Sequence, residues 1–125
     1  MIKRTLYFGN SAYLKLKDKQ LSIETSNNSE KKNTLIAVED IGIVVIDNPQ
    51  ITLTSGLLQA LQENNVALIT CDYRHMPQSL LLPLEGNSVQ QERYDDQLNA
   101  SEPLKKQLWA QTITQKIKNQ AAVLE

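Results

Sequence analysis

At 125 residues and 14.1 kDa, the chain has room for one domain, or for one small domain and part of a second. Apolar residues make up 41% and aromatics only 5%, so the core must be aliphatic; the single cysteine, Cys71, excludes an intramolecular disulfide framework. The formal net charge of −1 gives no bulk signal for nucleic acid, and no run approaches the roughly 20 apolar residues that span a bilayer.

Arg4–Phe8, Ala12–Lys17 and Gln20–Glu24 are the first predicted strands. Leu14 and Leu16 alternate with Lys15 and Lys17, the period-two mark of a half-buried strand. Lys17-Asp18-Lys19-Gln20 suits a hairpin turn, although it lacks the strong Asn-Gly pattern. Ser26–Asn33 (SNNSEKKN) is polar and turn-rich, which predicts a surface loop. Thr34–Val38 follows as a fourth strand. Ile41–Ile46 is continuously apolar, which predicts a strand buried on both faces.

Asp47-Asn48-Pro49 ends that strand, and Gln50–Leu53 is a further short extended piece. Thr54 or Ser55 then caps a helix to about Asn64, with Leu57, Leu58 and Leu61 on its inner face. Asn64-Asn65 can close it, because Asn tolerates the left-handed C-terminal position. Val66–Thr70 is a second buried strand. Strand, helix and strand at this spacing predict a right-handed parallel crossover. Gln78–Leu84 is the last strand, placed near an edge by Pro83.

After Gly86 the chain turns polar. Residues 87–99 read as a linker in which Val89–Leu98 has the pattern of a short helix. From Ser101, an N-cap, a helix is predicted to the end, with Leu104, Leu108, Ile113, Ile117, Ala121 and Leu124 as an apolar stripe. The predicted fold class is α+β. Residues 1–84 form a β-rich domain with one crossover helix, 85–100 a linker, and 101–125 the first helix of an all-helical domain.

Residues 1–32 hold seven Lys or Arg against three acids, while 33–65 hold four acids and no base. That asymmetry can steer DNA to one surface; equally, the lysines can serve only to blunt sheet edges. The corner Cys71-Asp72-Tyr73-Arg74-His75 carries the only cysteine and the only histidine, just after a buried strand, where α/β folds often place sites. A Cys–His nucleophilic pair needs a geometry that four residues in a loop do not define, and a zinc site needs more ligands than these. Cys71 reads as a small hydrophobe closing the strand and His75 as a surface hydrogen-bonder. The acid pairs Glu39-Asp40 and Asp95-Asp96 read as solvated surface, because neighbouring side chains diverge. There is no phosphate-cradling glycine loop among the four glycines.

In order along the chain, RTLYF, VEDIGIVVIDN, LTSGLLQALQENNVALITCD, HMPQSLLLPLEGN and SEPLKKQLWAQTITQKIKNQAAVL resemble the N-terminal half of the CRISPR-associated integrase family (Cas1), type II lineage. The resemblance implies a β-rich domain that forms homodimers, joined by a linker to an all-helical domain. It implies assembly with a Cas2 dimer, and with other type II CRISPR adaptation proteins, on double-stranded prespacer and CRISPR-repeat DNA. It also implies spacer acquisition in antiviral defence by an endonuclease and integrase that uses Mg²⁺ or Mn²⁺. The family's metal-binding glutamate, histidine and further acid fall beyond residue 125. His75 does not match that histidine, nor Glu125 that glutamate, so no catalytic or metal residue is expected in this chain.

The resemblance directs attention to Gly9-Asn10-Ser11-Ala12-Tyr13 for DNA. Asn10 and Ser11 can donate to phosphate and Tyr13 can stack on a splayed base, with Gly9 letting the backbone approach. The other reading of this stretch is an ordinary turn with Tyr13 in the core. Arg74 and His75 are the second DNA-binding candidates. Two other function classes remain: a protein-interaction module without a DNA role, and a small Cys/His hydrolase. Cysteine use and the lack of a signal-peptide pattern at MIKRTLYFGNSAY lead us to expect a cytoplasmic protein.

Overall fold

A computed structural model describes residues 3–27, 30–84 and 90–124. Its contacts divide the chain into two units, Met1–Gly86 and Asn87–Glu125. The first unit holds two four-stranded sheets. One has the order β1 (Arg4–Phe8), β5 (Ile41–Ile46), β7 (Ala67–Cys71), β8 (Pro77–Leu81). The other has the order β4 (Glu30–Ala37), β3 (Gln20–Asn27), β2 (Ala12–Lys17), β6 (Ile51–Leu53). Strands β1, β5 and β7 run parallel, and β8 closes the first sheet antiparallel to β7.

The parallel pair β5–β7 is connected through helix α1 (Ser55–Glu63), the crossover expected from the spacing. Thr54 is the N-cap: its Oγ1 accepts from the Leu57 N–H at 3.3 Å. At the other end Asn65 sits at φ 58°, so that the Val66 N–H reaches the Leu61 carbonyl and the Asn65 N–H the Gln62 carbonyl. Those two bonds satisfy carbonyls that the helix end would otherwise leave open. Leu57 and Leu61 are fully buried in a core with Leu14 and Leu21 from one sheet and Ile41, Val44 and Leu68 from the other.

The β2–β3 turn places both Asp18 (φ 49°) and Lys19 (φ 60°) in the left-handed region, the backbone of a two-residue hairpin. Three expectations are corrected. First, the stretch from Ser26 to Asn33 is not a loop throughout. β3 runs on to Asn27 and β4 starts at Glu30, in a ladder pairing Thr25 with Lys32 and Ser26 with Lys31. This part of the hairpin needs no apolar residues, because backbone pairing holds it.

Second, β5 is buried on one face only. Ile41 and Val44 are sealed, whereas Ile43 stands exposed on the face that also carries Tyr7 and Leu80. A register shift against β1 at Gly42 puts Ile41 and Val44 on the same side; a Cβ on Gly42 would come within 3.0 Å of Lys3 Cβ. Third, β8 stops at Leu81, before Pro83, which has no N–H to give a ladder.

The second unit contains α2 (Gln90–Leu98) and α3 (Glu102–Leu124); the segment 85–89 of the expected linker lies outside the described residues. Ser101 caps α3, its Oγ accepting from the Leu104 N–H at 3.4 Å. The apolar stripe expected along α3 is not a single face. Leu104 and Leu108 lie on one side, while Ile113 and Ile117, about two and a half turns further on, lie on the other. Leu104, Leu108, Trp109 and Ile117 are exposed.

Candidate nucleic-acid interface

Because β1, β5 and β7 are parallel neighbours, the segments that follow them emerge at one edge of the sheet. These segments are 9–11, 47–50 and 72–76. The edge where parallel strands end is where open α/β sheets tend to carry their sites. Here it gathers Asn10, Ser11, Arg74 and His75, all exposed.

Asp47 holds this edge together. It is 6% exposed, yet its carboxylate is fully engaged. Tyr7 donates to Oδ2 from β1, and His75 Nδ1 lies 2.9 Å from Oδ1. The Cys71 thiol donates to it as well. The Tyr7 and His75 hydrogen bonds outweigh burial and hold the Asp47 carboxyl below its ordinary value of 3.8. The hydrogen bond to Asp47, then burial, raises Tyr7 above 10.0. Burial first, then the Asp47 charge, pushes the Cys71 thiol above 9.0.

The loop 9–11 is tied into the same edge. The Tyr7 ring lies over Gly9, where a Cβ would sit 2.9 Å from Tyr7 Cε1, and Asn48 Nδ2 donates to the Gly9 carbonyl at 3.2 Å. The room at Gly9 is therefore taken by an aromatic ring of the chain itself rather than left for a phosphate, which corrects the role expected of that glycine.

The turn after β7 is knit from within. The Asp72 Oδ1 accepts from the backbone N–H of Arg74 and of Met76, and the His75 N–H donates to the Asp72 carbonyl at 3.0 Å. These bonds accommodate His75 at φ 62°.

Tyr13 lies on the outer face of the second sheet, not in the core, which removes the alternative reading of that residue. It is 39% exposed. Lys15 Nζ stands 5.8 Å from its ring centroid and is paired with Glu24. Ser11, Tyr13, Gln50 and Lys31 share the walls of a cavity of about 320 Å³. The structure thus brings Asn10, Ser11, Arg74 and His75 to one sheet edge and sets Tyr13 beside Ser11 on the adjoining sheet. Sequence reading missed Asp47 and Tyr7. The available signal was a lone acid ending an apolar strand, which burial makes costly unless it finds donors.

Among the described residues no three His, Cys, Asp or Glu side chains converge as metal ligands. Asp47, the one buried carboxylate here, already accepts from three donors, so this edge does not fit the metal that the resemblance implies for the whole family. Among the same residues, no helix is long and apolar enough to cross a membrane.

This architecture defines a class first: the β-rich part of Cas1-type proteins. The fold matches TtCas1 in complex with DNA at TM-score 0.55 (18% identity, 70% of this chain and 31% of that one). It matches a Cas6-RT-Cas1–Cas2 complex at TM-score 0.60 (13% identity, 77% and 10%). The family model for CRISPR associated protein Cas1 matches residues 6–125, and the chain belongs to that family. It is 38% identical over 125 residues to the CRISPR-associated endonuclease Cas1 of Neisseria meningitidis serogroup C (strain 8013), spanning 40% of that relative's length.

Proposed function

We propose that this chain is the N-terminal, DNA-holding part of a type II CRISPR integrase, and that residues 1–125 alone do no chemistry. The observation that carries the reading is the gathering of Asn10, Ser11, Arg74 and His75 at one sheet edge braced by Asp47, within a chain of the Cas1 family. In the whole protein, a helical domain beyond residue 125 supplies the Mg²⁺ or Mn²⁺ site and catalyses spacer insertion into the CRISPR array. The proposed partners are prespacer and repeat DNA, a Cas2 dimer, other type II adaptation proteins and a second copy of the chain joined through the β-rich unit. The DNA and Cas2 partners are in keeping with the complexes in which the fold's neighbours occur. The proposed setting is a reducing cytoplasm.

A Cys/His hydrolase is disfavoured. Asp47 takes the His75 nitrogen and the thiol hydrogen, and the thiol is pushed toward its protonated, unreactive form.

The test is duplex DNA binding by the purified chain across a salt series, with Mn²⁺ present. The expected result is weak binding whose logarithm falls linearly with log salt, and no strand cleavage or transfer. Absence of binding at low salt would leave only the protein-interaction module, and chelator-sensitive cleavage would overturn the assignment of chemistry to the missing half. Light scattering over a dilution series tests the homodimer. A mass of twice 14.1 kDa that persists on dilution is expected, and a strict monomer would place the seam outside residues 1–125.

A further inference from the structure

The turn after β7 holds an aromatic residue that the fold does not use. Tyr73 is 83% exposed, so its ring adds almost nothing to the core. Yet the backbone beneath it is unusually well fixed. Asp72 caps two N–H groups of the turn, Asp72 N–H donates to the Met76 carbonyl at 2.9 Å, and Asp47 anchors His75 from outside. A turn that accepts a left-handed histidine has spent conformational freedom to hold its tip still.

The ring itself is also braced. Arg74 Nε donates to the Tyr73 hydroxyl at 2.8 Å, and the guanidinium carbon is 5.3 Å from the ring centroid. Both distances together put the guanidinium toward the hydroxyl end of the ring rather than over its centre. The faces of the ring are left open to a flat partner, with a cation beside them. The Asp72 charge on this turn is engaged by the N–H groups of Arg74 and Met76, so the exposed side of the tip is aromatic and cationic.

We infer that Tyr73 and Arg74 form a stacking platform for an unpaired base of a DNA strand, Tyr73 contacting the base and Arg74 the adjoining phosphate. A flat, open ring face held beside a guanidinium matches a nucleotide, whose base stacks while its phosphate takes the charge. The inference rests on the DNA-holding role proposed above and adds a specificity to it. The sheet edge positions the duplex through Asn10, Ser11 and His75, and the tip senses whether the strand beyond the duplex end is single.

The experiment compares two probes, a blunt duplex and the same duplex with a 3′ single-stranded overhang, by fluorescence anisotropy at fixed low salt. The wild-type chain is expected to prefer the overhang by about tenfold, the scale of one stacked base. Tyr73→Ala should erase that preference while leaving blunt-duplex affinity within about twofold, and Tyr73→Phe and Tyr73→Trp should keep it. Arg74→Gln should weaken overhang binding and reduce its salt slope by about one unit.

An overhang preference that survives Tyr73→Ala overturns the proposal while sparing the DNA-holding role. So does a preference lost equally in Tyr73→Phe. Failure of the wild-type chain to bind either probe overturns both. If Tyr73→Ala leaves DNA binding alone but changes the mass by light scattering, the tip is a protein contact and the inference is wrong.

Discussion

Asp47 at the end of β5 and His75 in the turn after β7 lie 28 residues apart and meet at 2.9 Å. With Tyr7 as the other main donor, this contact makes one carboxylate the brace for three separate segments. Its pH dependence follows from the direction of each shift. Asp47 is held below 3.8 in the folded chain, so the stability contributed by its ionised form is present above that value and is lost as pH falls through the folded one. Cys71 and Tyr7 run the other way: their contributions are present below 9.0 and 10.0 and are lost as pH rises past the folded values. The melting midpoint should be level from about pH 5 to 8 and fall below about pH 4. Asp47→Asn should lower the plateau and flatten the acid limb; superimposable acid limbs would show that other carboxylates set it.

The Gly9 position predicts a steric effect with a defined target. Gly9→Ala puts a methyl 2.9 Å from Tyr7 Cε1, so the ring must shift away from Asp47. The loss of stability in Gly9→Ala should therefore shrink in a Tyr7→Phe background, where the bond is already gone. Strictly additive denaturation energies would mean that Gly9 acts through its own backbone.

Cys71 should behave as an inert thiol. With burial and Asp47 both favouring the protonated form, iodoacetamide at neutral pH should label the folded chain at least about tenfold more slowly than the urea-unfolded chain. Equal rates would revive the nucleophile reading.

Lys19 offers a stabilising change. Its backbone is at φ 60° in the β2–β3 turn, a conformation that costs a residue with a Cβ about 1 kcal/mol more than glycine. Lys19→Gly should raise the urea midpoint by a comparable amount without altering the slope. A lower midpoint would mean that the entropy of the unfolded glycine chain dominates.

Strands β1, β2 and β5 were legible to the residue, because an alternating or apolar run carries the whole signal over five or six positions. The cap at Thr54 and the left-handed Asn65 were legible for the same reason: their chemistry is local. The far half of the β3–β4 hairpin was not, since Thr25, Ser26, Lys31 and Lys32 pair through backbone alone and their side chains argue for a loop. In α3, counting apolar residues at intervals of three to five hid the drift between Leu108 and Ile113, which moves them to different sides. The brace at Asp47 was invisible because its partners lie 40 and 28 residues away, and nothing local distinguishes a strand-ending aspartate from a buried acceptor.

The parallel pairing of β1 with β5 has a consequence for synthesis. β1 leaves the ribosome first, but the strand it pairs with begins only at Ile41. By then β2, β3 and β4 can have closed, joined as they are by short hairpins whose loop-closure cost is small. The first strand made is thus among the last to be hydrogen-bonded. Until β5 arrives, RTLYF is an uncommitted apolar edge, open to capture by a chaperone or a neighbouring nascent chain.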